Sequence, residues 1–249
     1  MLIVERQQRL LEILRELNAA NLESLAEELD VSSSTVRRDL EVLEEQGLVE
    51  RTHGGAVYRG PHRHSIVFAE RMHEQVEAKK AVGRYAASLV EPQMTVLIDG
   101  GSTALYAAQQ ITARPLQVVT NSLAIANQFA DDERTELLLI GGNLYPRTGV
   151  LVGPVATHCL ADLHADLLLF SLAGIYEDAA FNQNLSMAEL EQLMLRCAAT
   201  KVLMMDSTKF GRKSLARVCS VSDVDVVVTD SGITERWKRL LGDRLVIAE

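Results

Sequence analysis

The sequence predicts an α/β protein in two parts: an N-terminal winged helix-turn-helix and a C-terminal domain built on a mainly parallel sheet. Three observations carry this. Two short amphipathic helices are followed at once by a glycine-centred hairpin, all within residues 20–59. After about residue 95, short β-branched or Leu-rich runs alternate with helical segments. Between the halves, Gly60-Pro61-His62-Arg63-His64-Ser65 is polar, holds Gly and Pro, and has no period. The expected domains are 3–58, with the helix-turn-helix at about 20–39, a linker over 59–74, and a second domain over 75–249.

In chain order, Leu10, Leu11, Leu14 and Leu17 repeat at helical spacing within residues 4–18 and predict a supporting first helix. Leu22, Leu25, Ala26 and Leu29 line one face of a second, and Asp30-Val31-Ser32 interrupts it. Val36, Leu40 and Leu43 start a new register, with Ser32 or Ser33 suited to the N-cap because a hydroxyl accepts a free N–H of the first turn. Gly47 tolerates the left-handed turn that ends this helix. Residues 48–52 and 56–59, joined by His53-Gly54-Gly55, read as a hairpin, the wing.

The second helix of such a pair can enter a DNA major groove. Ser32, Ser33, Ser34, Thr35, Arg37 and Arg38 stand at its start. Arginine can bond a guanine edge through two parallel hydrogen bonds, and hydroxyls reach bases or phosphates. Arg51, His53 and Arg59 on the wing are donors suited to a phosphate backbone or a minor groove. The plainer reading is a solvated helix in a small helical domain, with Arg38–Asp39 a surface ion pair.

Here a resemblance becomes specific. Val31 to Leu40 (VSSSTVRRDL), Leu43-Glu44, Gly47 to Arg51 (GLVER) and His53 to Ala56 (HGGA) resemble, in order and spacing, the N-terminal domain of the DeoR family of bacterial transcription regulators. The resemblance covers about residues 3–58 and implies binding to double-stranded operator DNA.

The net charge of −9 argues against nonspecific polyanion binding by the whole molecule, and residues 1–60 hold more acids than bases. DNA contact must then rest on placed cations, Arg37, Arg38, Arg51 and Arg59, with Glu41, Glu44 and Glu45 turned away. A single winged helix covers one half-site, so self-association into a dimer or tetramer is expected. Cys159, Cys197 and Cys219 stand far apart, which predicts buried thiols, no disulfide framework and a reducing cytoplasm; the family resemblance places the protein at the nucleoid there. Glu5-Arg6 follows directly on the first apolar residues, so no signal peptide is expected, and the run Leu167–Ile175 is too short to span a bilayer. His62 and His64 lack a third ligand nearby; no metal and no cofactor are expected.

Residues 68–90 read as helical up to Pro92. Strands are predicted at Thr95–Ile98, Leu116–Thr120, Glu136–Ile140, Leu167–Phe170, Lys201–Met205, Val224–Thr229 and Arg244–Ile247. Helices are predicted at Ala104–Gln110, Leu123–Ala130, Val155–Leu160, Met187–Ala199 and Glu235–Leu241. Ligands of such a sheet bind beyond the carboxyl ends of its strands. There the sequence places Asp99-Gly100-Gly101-Ser102-Thr103, Thr120-Asn121-Ser122, Gly141-Gly142 and Asp206 with Lys209. Each is ordinary turn and cap chemistry alone. Together they suggest a pocket for a phosphorylated polyol. Phosphate would take backbone N–H groups, Ser102, Thr103 and Lys209; Asp99 and Asp206 would accept sugar hydroxyls.

Residues 97–103 (LIDGGST), 118–122 (VVTNS), 139–142 (LIGG), 206–211 (DSTKFG) and 227–230 (VVTD) resemble the DeoR-family sensor domain over about residues 75–230. The resemblance implies a fold similar to ribose-5-phosphate isomerase and the CoA-transferase group, and a sugar phosphate or related metabolite as effector. It implies a repressor of a carbohydrate-metabolism operon. Four positions depart from the family pattern: Ala104 stands for a Thr, Leu172 for a Gly, Met187 for a Glu and Glu191 for a Lys. Glu191 would replace a cation on the pocket rim and make a fully anionic sugar phosphate less welcome there. The alternative reading is an isomerase-like enzyme fused to a DNA-binding module. It needs a carboxylate base, for which Asp99 and Asp206 are the candidates, but no acid–base pair at close spacing is evident, so no enzyme is expected.

Overall fold

A computed structural model of the chain describes residues 3–17, 19–52, 54–58 and 68–249. The chain divides into two compact units, residues 1–67 and 68–249.

The first unit runs α1 (Ile3–Leu17), β1 (Ala19–Asn21), α2 (Leu22–Glu28), α3 (Ser33–Glu45), β2 (Val49–Thr52) and β3 (Gly55–Tyr58). The periodic residues of each helix meet in one core: Leu10 and Leu14 of α1, Leu25 and Ala26 of α2, Val36, Leu40 and Leu43 of α3, closed by Val49, Ala56 and Tyr58 of the wing. The side chain of Leu17 and all of His53 and Arg59 lie outside the described residues. Asn21 caps α2 by accepting the Ser24 N–H at 2.8 Å, and Ser32 caps α3 by accepting the Thr35 N–H at 3.2 Å. Gly47, at φ +72°, turns the chain out of α3 while the Leu48 N–H donates to the Leu43 carbonyl at 3.0 Å. β2 and β3 pair antiparallel, and β1 adds a third strand on the free edge of β3. Three residues are too few to show a period, so β1 was not legible in advance. An added Cβ at Gly55 would strike the Ala20 backbone, so the wing turn needs glycine to let β1 dock.

Asp39 is buried, and Arg6 reaches it from α1 with Nε donating to Oδ2 at 2.6 Å and Nη2 to Oδ1 at 3.2 Å. The Arg38–Asp39 ion pair considered from sequence does not form. Successive helical residues point about 100° apart, so Asp39 turns to α1 while Arg38 faces solvent.

The second unit opens with α4 (Phe68–His73) and α5 (Val76–Ser88). α4 falls in the stretch 68–90 read as helical, its residues also counted to the linker; Phe68 and Met72, one turn apart, pack it against the core, and residues 59–67 lie outside the described set, His62 and His64 among them. There follow β4 (Thr95–Ile98), α6 (Ser102–Ala108), β5 (Leu116–Thr120), α7 (Leu123–Phe129), β6 (Thr135–Leu139), β7 (Asn143–Tyr145), β8 (Val150–Val152), α8 (Pro154–Leu160), β9 (Ala165–Phe170), β10 (Gly174–Tyr176), β11 (Ala179–Asn182), α9 (Leu185–Cys197), β12 (Ala198–Met204), β13 (Ala216–Ser220), β14 (Val226–Asp230), α10 (Glu235–Leu241) and β15 (Leu245–Ala248).

Seven strands form one parallel sheet in the order β15-β14-β12-β9-β4-β5-β6, and each matches one strand expected from sequence. Alternation sorts its side chains. Val96, Ile98, Val118, Leu167, Leu169, Val202, Met204 and Val228 meet α5, α6 and α7 on one face. Leu97, Val119, Leu168, Phe170, Leu203 and Val227 meet α8, α9 and α10 on the other. The unforeseen strands are short and antiparallel: β7 with β8, and β10-β11-β13. Cys197 and Cys219 are buried as expected, but Cys159 is exposed, on the outer side of α8 opposite buried Ala156 and Leu160. Among the described residues no helix is long and apolar enough to cross a membrane.

The order of strands matters for the site. β4 comes first, β5 and β6 extend the sheet on one side, and β9, β12, β14 and β15 on the other. The connections leaving β4 and β9 therefore part at their carboxyl ends and leave a crevice. α5 must lie tight on α6 to cover this region. A Cβ on Gly83 would stand 2.8 Å from the Ala107 backbone nitrogen. We expect Gly83→Val to force the two helices apart and destabilise the second unit by about 2 kcal/mol or more, read as a lowered urea midpoint.

Candidate functional site

Two regions carry the polar residues singled out from the sequence. The first is the exposed start of α3. The Ser32 hydroxyl lies 2.8 Å from those of Ser34 and Thr35, so three hydroxyls cluster at the helix N-terminus. Ser33, Ser34, Arg37 and Arg38 face solvent, and among the described residues neither arginine has an ion-pair or hydrogen-bond partner. Their guanidinium groups are available to an external acceptor.

Arg51 is different. It does not project from the wing as a free cation: Nε donates to Glu44 Oε2 and Nη1 to Glu41 Oε1, each at 2.7 Å, and its backbone N–H donates to Glu44 Oε1 at 2.8 Å. These bonds, the backbone one foremost, hold the Glu44 carboxyl below its usual range. The expectation that Glu41 and Glu44 turn away is corrected accordingly. Glu41 lies one turn beyond Arg37 and Arg38 on the same exposed face, and Arg51 neutralises it. Sequence charge counting missed this because β2 brings Arg51 beside a helix that ended before it.

The second region is the crevice at the carboxyl ends of β4, β9 and β12. Asp99 follows β4 directly and is 2 % exposed. Its own N–H donates to the Leu169 carbonyl of β9 at 3.0 Å, which locks it at the parting of the two strands. Burial pushes its carboxyl up to about 6, against the pull of the Gly100 and Ser171 backbone N–H groups and of Arg71. Gly100 and Gly101 are needed for closeness: a Cβ on the first would collide with Val150 and on the second with Ser171.

Thr120 and Ser122 are committed to the fold. Thr120 Oγ1 donates to the Ile98 carbonyl at 2.7 Å and accepts the Ser122 N–H at 3.1 Å, and Ser122 Oγ accepts the Ile125 N–H at 3.4 Å. Asn121 donates to the Leu151 carbonyl at 3.2 Å, but its Oδ1 has no partner. Ser102 and Thr103 are buried at the start of α6, and Thr103 Oγ1 has no partner either. Gly141 and Gly142 stand between β6 and β7, apart from this buried set, with Gly141 exposed. Asp206 is buried after β12, accepts the Thr208 N–H at 3.2 Å, and lies 4.0 Å from Lys209 Nζ.

Sequence reasoning missed three participants or misplaced them. Arg71 of α4 fell within the expected linker. Its Nε and Nη2 are out of reach of solvent and have no hydrogen-bond partner, and burial lowers its pKa against the attraction of Asp99. Lys79 of α5 is 3 % exposed; its ammonium donates to the Arg71 carbonyl, and burial lowers its pKa against the attraction of Asp206. Lys79 had a legible signal: it shares the buried face of α5 with Val82, Gly83 and Ala86. Glu191 of α9, expected on the pocket rim, is 2 % exposed and interior. Burial, then repulsion from Asp99, raises its carboxyl well above the usual range. Lys209 feels Asp206, Arg71 and Lys79 together, and burial brings it down to about 8. The crevice thus gathers three cations and three carboxylates from five elements, with donors and acceptors still unpaired. Among the described residues no group of His, Cys, Asp and Glu could hold a metal ion.

A family model described as the DeoR-like helix-turn-helix domain matches residues 6–61, and one described as the DeoR C-terminal sensor domain matches residues 74–231. Among curated proteins, the chain is 31 % identical over 233 residues to the HTH-type transcriptional regulator GolR of Listeria innocua, covering 93 % of this chain and 92 % of that protein. It is 33 % identical to the L-fucose operon activator of Escherichia coli over 90 % of this chain and 94 % of that one. It is 33 % identical to the HTH-type transcriptional repressor CsqR of Escherichia coli over 90 % and 87 %. Among solved structures, ribose 5-phosphate isomerase A of Methanocaldococcus jannaschii aligns with 14 % identity and a TM-score of 0.41 over 55 % of each chain. With a winged helix in the first unit, a parallel sheet in the second and both family models matched in order, the chain belongs to the DeoR family of helix-turn-helix transcriptional regulators.

Proposed function

We propose that this regulator is a repressor of a carbohydrate-metabolism operon and leaves its operator when a phosphorylated sugar fills the crevice. One observation carries the reading: buried Lys79 and half-buried Arg71 and Lys209 act on one another's charge, and the Arg71 guanidinium keeps two solvent-excluded donor atoms unpaired. An orphaned buried donor costs about 1–3 kcal/mol. A phosphate offers several acceptor oxygens and negative charge to all three cations at once. Ser102 and Thr103 add hydroxyls, and Asp99, Asp206 and the free Asn121 Oδ1 accept from sugar hydroxyls. Relatives named for a fucose operon support carbohydrate as the class, and both activators and repressors occur among them.

DNA reading falls to α3. Ser32, Ser33, Ser34, Thr35, Arg37 and Arg38 face the groove, with Arg51 keeping Glu41 and Glu44 from repelling phosphate rather than binding DNA itself. The protein acts as a symmetric oligomer, because a single winged helix reads one half-site. Effector binding favours the arrangement of the two units that cannot span the operator, by no more than its differential affinity for the two arrangements.

Genomic fragments selected by the full-length protein supply the operator for testing. In fluorescence anisotropy, Arg37→Ala or Arg38→Ala weakens operator binding by about 10- to 100-fold and leaves sugar-phosphate binding intact. A panel of hexose and pentose phosphates includes one that lowers wild-type operator affinity. Operator binding that no phosphorylated sugar alters would refute the proposed control.

The site's electrostatics also predict a stability signature. Asp99 has its pKa raised by folding, so the folded chain keeps a proton that the unfolded chain releases between about pH 4 and 6. Stability therefore falls as pH rises through that window, and the full penalty is present above it. Asp99→Asn removes the penalty and puts an amide where Oδ2 has no donor. We expect it to raise unfolding free energy at pH 7.5 by at most about 3 kcal/mol, with the gain shrinking toward pH 5, as measured by urea titration at both values.

A further inference from the structure

The chain enters the second unit through α4, a helix of six residues. So short a helix does not hold itself in water, so its place is set by what grips it. Gln75, a non-glycine residue at φ 49°, separates it from α5, so the two helices are jointed rather than continuous. Three hydrogen bonds reach the α4 backbone from the strand-end region. At its start the Phe68 N–H donates to the Arg147 carbonyl at 3.0 Å. Arg147 lies in the turn between β7 and β8, and that hairpin closes on the strand ends. Val150 packs against Gly100. The Leu151 N–H donates to the Asn121 carbonyl at 2.8 Å, and Asn121 Nδ2 donates back to the Leu151 carbonyl at 3.2 Å. At the other end of α4, the Met72 carbonyl accepts from the Tyr106 hydroxyl at 2.9 Å. Tyr106 stands one turn along α6 from Ser102, on the same face. Between these ties the Arg71 carbonyl accepts from Lys79, while the Arg71 guanidinium keeps its two solvent-excluded donors unpaired.

We propose that α4 is the strap through which the effector acts on the DNA-binding unit, with Tyr106 and the β7–β8 hairpin as its positioning groups. This rests on reading the crevice as a sugar-phosphate site. A ligand that takes the free donors of Arg71 pulls on α4 directly. The same ligand, held by Ser102 and Asn121, pulls on α6 and on the hairpin, each of which grips one end of α4. These pulls converge on a helix that is jointed at Gln75 and has no stability of its own. Resetting α4 resets the point from which the chain runs back to the first unit. The effector then favours one arrangement over the other by the difference in how well each lets α4 meet it. Binding of operator weakens binding of effector by the same factor.

The test cuts the ties one at a time in the full-length protein. Tyr106→Phe removes one hydroxyl and keeps the ring. Phe68→Pro removes the N–H at the first helical position, where proline is tolerated, and Phe68→Ala loses the same ring but keeps the N–H. The readout is the ratio of operator dissociation constants with and without the hexose or pentose phosphate that weakens wild-type operator binding. Calorimetry gives the affinity of each variant for that sugar phosphate, and a thermal melt confirms folding. Tyr106→Phe lowers the ratio about fivefold from wild type, and Phe68→Pro lowers it about fivefold from Phe68→Ala, the worth of one hydrogen bond. Affinity for the sugar phosphate stays within about threefold, because neither group touches it. If Phe68→Pro fails to fold, Tyr106→Phe decides alone. A wild-type ratio in Tyr106→Phe overturns the strap and leaves the sugar-phosphate control standing. A loss of sugar-phosphate affinity as large as the loss of ratio overturns it too, since Tyr106 would then belong to the binding surface. If no phosphorylated sugar alters wild-type operator binding, the control itself falls and takes the strap with it, and that result is read before any variant is made.

Discussion

Asp99 is the constraint around which the second unit is arranged. It follows β4 at the point where β4 and β9 part, is pinned there by its backbone bond to Leu169, and carries a carboxylate into a space without solvent. A buried carboxylate requires compensation. The fold supplies it in part, through the Gly100 and Ser171 N–H groups and the field of Arg71. Arg71 in turn needs an acceptor that the fold does not give it, and Lys79 anchors the Arg71 carbonyl. A site whose groups already satisfied one another would gain little from a ligand, whereas one with orphaned donors and acceptors gains most from a ligand that supplies their complements.

The first unit solves a different electrostatic problem. Its residues carry more acid than base, yet its reading helix must approach a polyanion. The structure answers by internal neutralisation rather than by added cations. Arg6 takes up Asp39 within the core, and Arg51 takes up Glu41 and Glu44. What remains outward at the start of α3 is a cluster of hydroxyls and two arginines, Arg37 and Arg38, unpaired among the described residues. A surface with so few free cations gains little from nonspecific phosphate contacts, which is the physical reason for the oligomer proposed above.

Glycine placement ties both units to these tasks. Gly55 lets β1 dock on the wing, Gly83 lets α5 settle on α6 above the crevice, and Gly100 and Gly101 bring the backbone against Val150 and Ser171. At each position a Cβ would meet a packed neighbour, backbone at the first two, so these residues are needed for approach rather than for flexibility.

The sequence by itself determined the architecture. Helical periods gave α1 to α3 and their shared core. Seven apolar runs gave the seven parallel strands, because a strand covered on both faces must be apolar throughout. It also determined most of the strand-end residues, since ligand groups in such sheets gather after the strands. It could not give β1, β7, β8, β10, β11 or β13, which are too short to carry a period or pair at long range. Tertiary structure alone decided which polar residues are free. Thr120 and Ser122 looked like ligand groups and are occupied by Ile98 and Ile125, while Gly141 lies outside the buried set. Arg71 came from residues counted to the linker and is half-buried, with Nε and Nη2 out of reach of solvent; Glu191 came from an expected rim and is interior. The reason is that hydrogen-bond saturation and burial depend on neighbours distant in sequence: residue type records the capacity to bind, and only packing decides whether that capacity is already used.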